Sequence, residues 1–131
     1  MLEGRLRGSR LLVVEPHDDH QLLIRAILCG AGADVTIVAS RAEAIDVARR
    51  SFISGEIFAA VILELRLPDG DGVRSASELR RVGYFGPILI LTSDVIRAQE
   101  LSRETEIVDF WMNKPFEGAV LIRMLIALIR S

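Results

Sequence analysis

The sequence holds one cysteine, Cys29, so no internal disulfide can form and a reducing compartment is the expected setting. Long apolar runs are missing too. The nearest approach, GAVLIRMLIALI at 118–129, is broken by Arg123 and is too short to span a bilayer. The N-terminal MLEGRLRGSR carries charge without an apolar h-region, which does not fit a secretory signal. The formal net charge is only −2, so nothing in the total points to nucleic acid or an acidic membrane. Lysine is scarcest of the charged residues. Lys114 is the only one among sixteen basic residues. In a chain that otherwise uses arginine, it marks a place that suits a compact point charge better than a planar fork. A soluble, cytoplasmic protein is expected.

Half of the 131 residues are hydrophobic, which suits one domain with a real core and argues against disorder. Short apolar runs alternate with helix-like segments. RLLVV at Arg10–Val14 reads as a buried strand, and DDHQLLIRAILCGAG after it as a helix with an Asp cap candidate and glycine at its end. DVTIV at Asp34–Val38 is β-branched and reads as a second strand. SRAEAIDVARRS opens on a capping box, Ser40 with Glu43 three residues on. AVIL at Ala60–Leu63, GPILILT at 86–92 and IVDFWM at 107–112 supply three more strands. GVRSASELRRVG, DVIRAQELSRE and EGAVLIRMLIALIRS supply the intervening helices. Repeats, low-complexity tracts and linkers are absent. Five βα units imply an α/β fold with a five-stranded parallel sheet covered on both faces, a three-layer sandwich. Residues 1–9 are expected to be a flexible segment ahead of a single domain at 10–131.

In such sheets the functional site lies at the carboxyl ends of the strands. There stand Glu15 with Pro16, His17 and Asp18; then Glu64; then Thr92 and Ser93; then Asn113, Lys114 and Pro115. Two carboxylates, a hydroxyl and the only lysine converge on one edge. Two acids suit a hard cation with oxygen ligands, most simply Mg2+. Lysine and a hydroxyl suit the oxygens of a phosphoryl group.

These fragments resemble the receiver domain of two-component response regulators, from about Leu11 to Ile129. LLVVEPHDDHQLLIRAILCGAGADV resembles its first strand, helix and turn, and VILELRLPDGDG its phosphorylation strand and turn. ILILTS carries the family's switch threonine, here Thr92, and DFWMNKPF its Lys-Pro, here Lys114 and Pro115. Trp111 occupies the aromatic switch position. The resemblance implies a flavodoxin-like (βα)5 fold, a cis bond before Pro115, and no enzyme activity of its own. It implies a histidine kinase or phosphotransfer protein as partner, docking on the first helix, or another signalling protein. It also implies dimerisation through the fourth helix, fifth strand and fifth helix. Direct nucleic-acid or membrane binding by the domain is not expected.

Two departures matter. Glu64 stands where the family has its phosphoaccepting aspartate. Pro16 stands where the second acid of the metal-binding pair belongs, leaving Glu15 and Glu64 as the metal ligands. Glutamate is one methylene longer, and a misplacement of about 1 Å can cost on the order of a hundredfold in rate. The expectation is therefore a degenerate receiver, a pseudo-receiver that works without phosphorylation. Glu64 can reach toward Lys114 and Thr92, but it brings fewer charges and acceptor oxygens than a phosphate. An active receiver taking phosphate from a histidine kinase is the alternative. A flavodoxin-like enzyme or cofactor binder is opposed by the absence of a Gly-rich phosphate loop after the first strand.

The remaining residues have plainer readings. Asp18 is expected to cap the first helix rather than bind metal. His17 and His20 are expected to face solvent, and Cys29 to be buried packing. Arg66 carries no expectation for its side chain. The last helix is apolar almost all round, through Val120, Leu121, Ile122, Leu125, Ile126 and Ile129. That is more than one sheet face needs, which suggests a contact surface. Nothing after Ser131 reads as an output domain, which leaves a stand-alone receiver or a piece of a longer chain.

Overall fold

The computed structural model describes residues 3–102 and 106–130, except the side chains of 101 and 102. Five parallel strands form one sheet in the order β2-β1-β3-β6-β7. They are β1 (Arg10–Val14), β2 (Asp34–Val38), β3 (Ala60–Leu63), β6 (Ile88–Thr92) and β7 (Phe110–Asn113). A two-stranded hairpin, β4 (Arg66–Leu67) and β5 (Gly70–Asp71), lies between β3 and the third helix. The helices are α1 (Asp18–Gly30), α2 (Arg41–Ser54), α3 (Gly72–Arg81), α4 (Val95–Ser102) and α5 (Gly118–Arg130). The last residues of the expected DVIRAQELSRE helix, 103 and 104, lie outside the described residues.

Strand periodicity divides the core into two. Leu11 and Val13 point to one face with Ile24 and Leu28 of α1 and Leu121 and Leu125 of α5. Leu12 and Val14 point to the other with Ala44 and Ile45 of α2 and Ala76 and Leu79 of α3. The central strands β1, β3 and β6 are buried on both faces, as their unbroken apolar sequences require. This is the flavodoxin-like α/β arrangement.

The acidic turn LPDGDG holds two helices in place. Both Asp69 carboxylate oxygens accept from the first turn of α2, from Arg41 N–H at 2.8 Å and Ala42 N–H at 3.0 Å. Those two N–H groups, with Arg41 itself, hold Asp69 below the usual carboxylate range. Asp71 caps α3 by accepting from Arg74 N–H at 2.8 Å. Ser40 caps α2 by accepting from Glu43 N–H at 3.2 Å, the first bond of a capping box, and the Glu43 carboxylate is held by the Ser40 hydroxyl at 3.0 Å in place of the Ser40 N–H.

Four expectations need correction. Residues 3–9 are not a flexible segment ahead of the domain: Leu6 is 1% exposed, its N–H donates to Ala31 O at 2.8 Å, and it packs with Leu11 and Leu28. Cys29 is exposed, because Ile24 and Leu28 form the buried stripe of α1 and Cys29 is rotated about 100° from Leu28. Asp18 is the first helical residue rather than the cap. His17 stands at the cap position without a side-chain cap bond, and Asp18 adds only charge to the first turn. The apolar surplus of α5 is mostly absorbed by the core: Leu121, Ile122 and Leu125 are buried, and Met124, Ile126, Leu128 and Ile129 pack against them.

Leu6→Ala is expected to cost about 2–5 kcal/mol, the range for a buried leucine. The midpoint of urea unfolding measures it, and an unchanged midpoint would place residues 3–9 outside the folded unit.

Candidate functional site

Glu15, Glu64 and Lys114 are each the first residue past a strand, and the N–H of each makes one more sheet bond. Glu15 N–H donates to Val38 O at 2.9 Å, Glu64 N–H to Val14 O at 2.9 Å, and Lys114 N–H to Thr92 O at 2.8 Å. The sheet register therefore brings three non-adjacent residues to one edge.

Their side chains form a single buried cluster. Lys114 Nζ donates to Glu64 Oε1 at 2.9 Å and to Glu15 Oε1. All three side chains are at least nine-tenths buried. Burial alone pushes the Glu15 carboxyl up. The Lys114 ammonium and the His17 N–H and ring outweigh that and hold it below its ordinary value. Glu64 Oε2 turns back on its own chain and accepts from Leu65 and Arg66 N–H. Gly72 allows this strand end to be crowded. A Cβ there would lie 2.7 Å from Glu64 O and 3.0 Å from Leu65 Cα.

Thr92 is buried at the end of β6, and its hydroxyl accepts from Asp94 N–H at 3.1 Å, while Glu64 bonds Lys114 and its own backbone. Asp94 in turn caps α4 through Arg97 N–H at 3.1 Å and takes Arg66 Nε at 2.7 Å. The Arg97 N–H and the Arg66 guanidinium hold Asp94 below the usual carboxylate range. Arg66, for which the sequence offers no expectation, thus ties the Glu64 loop to the start of α4. Trp111 is half-buried on β7 and packs beside Ile107 against the α2–α3 face of the core. The Lys114–Pro115 bond is cis.

The histidines are the residues that sequence reasoning missed. His17 N–H and His17 Nδ1 meet Glu15 Oε2 at 2.9 and 3.1 Å. His20 Nδ1 lies 3.0 Å from Lys114 Nζ and 3.5 Å from Glu15 Oε1. His20 also lines a pocket of about 430 Å3 with Leu23, Ile24, Ser93, Lys114, Pro115 and Phe116. The signal was the i, i+3 spacing at a helix start, which puts both rings over the end of β1. Glu15 and Glu64 are oxygen donors of the kind a hard cation needs, but the Lys114 ammonium already holds one oxygen of each.

The depressed Glu15 carboxyl links stability to pH. A carboxyl held low in the folded state stabilises fully above its unfolded value, near 4.5, and loses that contribution as pH falls below it toward the folded value. Glu15→Gln is expected to lower stability at neutral pH by about 1–3 kcal/mol. It should also flatten the loss of stability below about pH 4.5. Thermal unfolding from pH 3 to pH 7 reads both, and parallel curves for the two proteins would overturn the linkage.

The chain matches the model of the response regulator receiver domain over residues 11–126. It is 31% identical to the transcriptional regulatory protein TcrA of Mycobacterium tuberculosis over 97% of this chain and 48% of that protein. It thus spans about half the length of that relative. Among solved structures, it resembles the receiver domain of the sensor histidine kinase PA1611 of Pseudomonas aeruginosa, with Mg2+ in that protein's active-site cleft. Identity is 30%, the TM-score 0.78, and coverage 95% and 99% of the two chains. A response regulator receiver protein of Sinorhizobium medicae gives a TM-score of 0.81 at 25% identity, over 96% and 98%. With this fold, and these residues at the ends of β1, β3, β6 and β7, the chain belongs to the response regulator receiver domain family of two-component signalling.

Proposed function

We propose that this is an atypical receiver, a pseudo-receiver that signals through protein contacts without aspartyl phosphorylation and without enzyme activity of its own. Glu64 stands at the phosphoacceptor position, Thr92 and Trp111 at the switch positions, and Lys114 at the phosphate-side lysine. The carrying observation is the engagement of Glu64. One oxygen is bonded to Lys114 and the other to the N–H groups of Leu65 and Arg66. In-line phosphoryl transfer needs a free, placed carboxylate oxygen with charge balance from metal and lysine. Here the lysine is spent on two carboxylates, and Pro16 supplies no second acid for Mg2+ at Glu15 and Glu64.

The setting is cytoplasmic, and the partner is a histidine kinase, a phosphotransfer protein or another signalling protein. The exposed Leu22 and Leu23 of α1 offer an apolar contact for it. Ile96 of α4, Phe110 of β7 and Val120 of α5 stay exposed and are the apolar groups of a homodimer face there.

Incubation with Mg2+ and a small-molecule phosphodonor, followed by intact mass, tests the phosphorylation reading. The expected result is no phosphoryl adduct on the wild type and an adduct on Glu64→Asp. An adduct on the wild type overturns the reading. Light scattering tests the dimer. Ile96→Glu is expected to yield monomer from a dimeric wild type, and a monomeric wild type at micromolar concentration would remove the proposed face.

A further inference from the structure

We propose that Glu15, His17 and His20 form a site for a borderline divalent cation, Zn2+ being the best match, beside the position where receivers place Mg2+. The inference does not depend on whether Glu64 accepts phosphate. Three observations carry it.

The first is donor chemistry. The three side chains bring one carboxylate and two imidazoles whose ligand atoms all lie within 4.8 Å of one another. Two nitrogens and an oxygen suit Zn2+, Cu2+ or Ni2+, whereas Mg2+ demands oxygens and keeps its waters.

The second is spacing. Donors around a tetrahedral Zn2+ at about 2.0–2.1 Å stand about 3.3 Å apart. His17 Nδ1 is 3.1 Å from Glu15 Oε2 and His20 Nδ1 is 3.5 Å from Glu15 Oε1, so the two rings face different oxygens of one carboxylate, and one donor from each residue falls within 4.8 Å of the others, a spacing that a small inward shift of the exposed rings closes. The geometry is held from outside the cluster. Gln21 Nε2 donates to Glu15 O at 2.6 Å and Gln21 N–H to His17 O at 2.9 Å, which fixes the turn between the ligands.

The third is charge. Two buried carboxylates, Glu15 and Glu64, share one ammonium, so the buried cluster carries a surplus negative charge. A dication at Glu15 offsets that surplus. The pocket lined by His20, Ser93 and Lys114 supplies the entry path, and leaves a face where water can complete the coordination. Lys114 Nζ is the competitor, since it stands 3.0 Å from His20 Nδ1 and also bonds Glu15. Metal at the site takes Glu15 and His20 from the lysine, which keeps Glu64. Metal binding therefore competes with Lys114 for Glu15 Oε1 and His20 Nδ1.

The test is a titration of the tag-free protein with ZnCl2, and separately MgCl2, against a chromophoric chelator. The absorption spectrum of the Co2+ form serves as a second readout. One saturable Zn2+ site, preferred over Mg2+, is expected. His17→Ala and His20→Ala should each weaken it by more than the roughly 10–100-fold that loss of a supporting outer-shell group costs. Lys114→Met should tighten it. Cys29→Ser should leave it unchanged, although Cys29 is exposed and a zinc ligand by nature. No saturable site, a site that survives the double histidine variant, a site lost in Cys29→Ser, or a preference for Mg2+ would each overturn the proposal. None of these outcomes bears on the phosphodonor experiment.

Discussion

The constraint on which the rest of the site depends is the burial of the Lys114 ammonium between Glu15 and Glu64. Taking an ammonium and two carboxylates out of water costs several kcal/mol per ion, and the cost is offset only when geometry and additional hydrogen bonds are good. The sheet supplies the geometry. Each of the three residues is fixed by a strand-terminal N–H bond to a neighbouring strand. The surrounding backbone supplies the extra bonds, through His17 N–H on Glu15 and Leu65 and Arg66 N–H on Glu64. Because the acceptors outnumber the donor charge, the cluster draws in whatever positive or polar group lies nearest. His17 N–H and ring meet Glu15 Oε2, while His20 Nδ1 is a further acceptor for Lys114 Nζ at 3.0 Å.

The extra methylene of Glu64 shapes what this edge can do. It lets the carboxylate bond Lys114 and its own backbone at once, a self-contained arrangement that leaves Thr92 to the N-terminus of α4. Thr92 and Asp94 then belong to the α4 cap, and Arg66 is the direct side-chain link from the Glu64 loop to that cap. Communication from Glu64 to the α4–β7–α5 face would run through this ion pair. Arg66 is largely exposed, so the pair is screened and weak.

The fold was legible because its signals are periodic. Two-sided burial shows as unbroken apolar runs in β1, β3 and β6, and the capping residue Ser40 sits where α2 must begin. The edge residues Glu15, Glu64, Thr92 and Lys114 were legible because a parallel sheet sends its strand ends to one side. What escaped was set by contact rather than by pattern. Leu6 precedes any periodic segment, so nothing local shows that it is buried against Leu11 and Leu28. Cys29 and Leu28 are adjacent in an apolar helix, and only the placement of α1 on the sheet decides which is covered. The width of the apolar face of α5 could not be divided between core and surface without knowing how α1 packs beside it.

Pro16 shows why the histidines belong to the same logic as the acids. It brings no carboxylate to the end of β1, and it also constrains the backbone. Proline holds its preceding residue in the extended region and fixes its own φ. Glu15 therefore continues the strand, buried, while the chain turns at once so that His17 N–H faces back to Glu15 Oε2. One turn of helix later His20 arrives at the other oxygen. With an acid at position 16, the negative charge at this edge would rise, and a hard cation would be the natural counterion. With proline there, the same backbone path delivers imidazole nitrogens in place of the second carboxylate. In the proposed zinc site, Pro16 is thus the residue whose backbone path brings the imidazoles to Glu15.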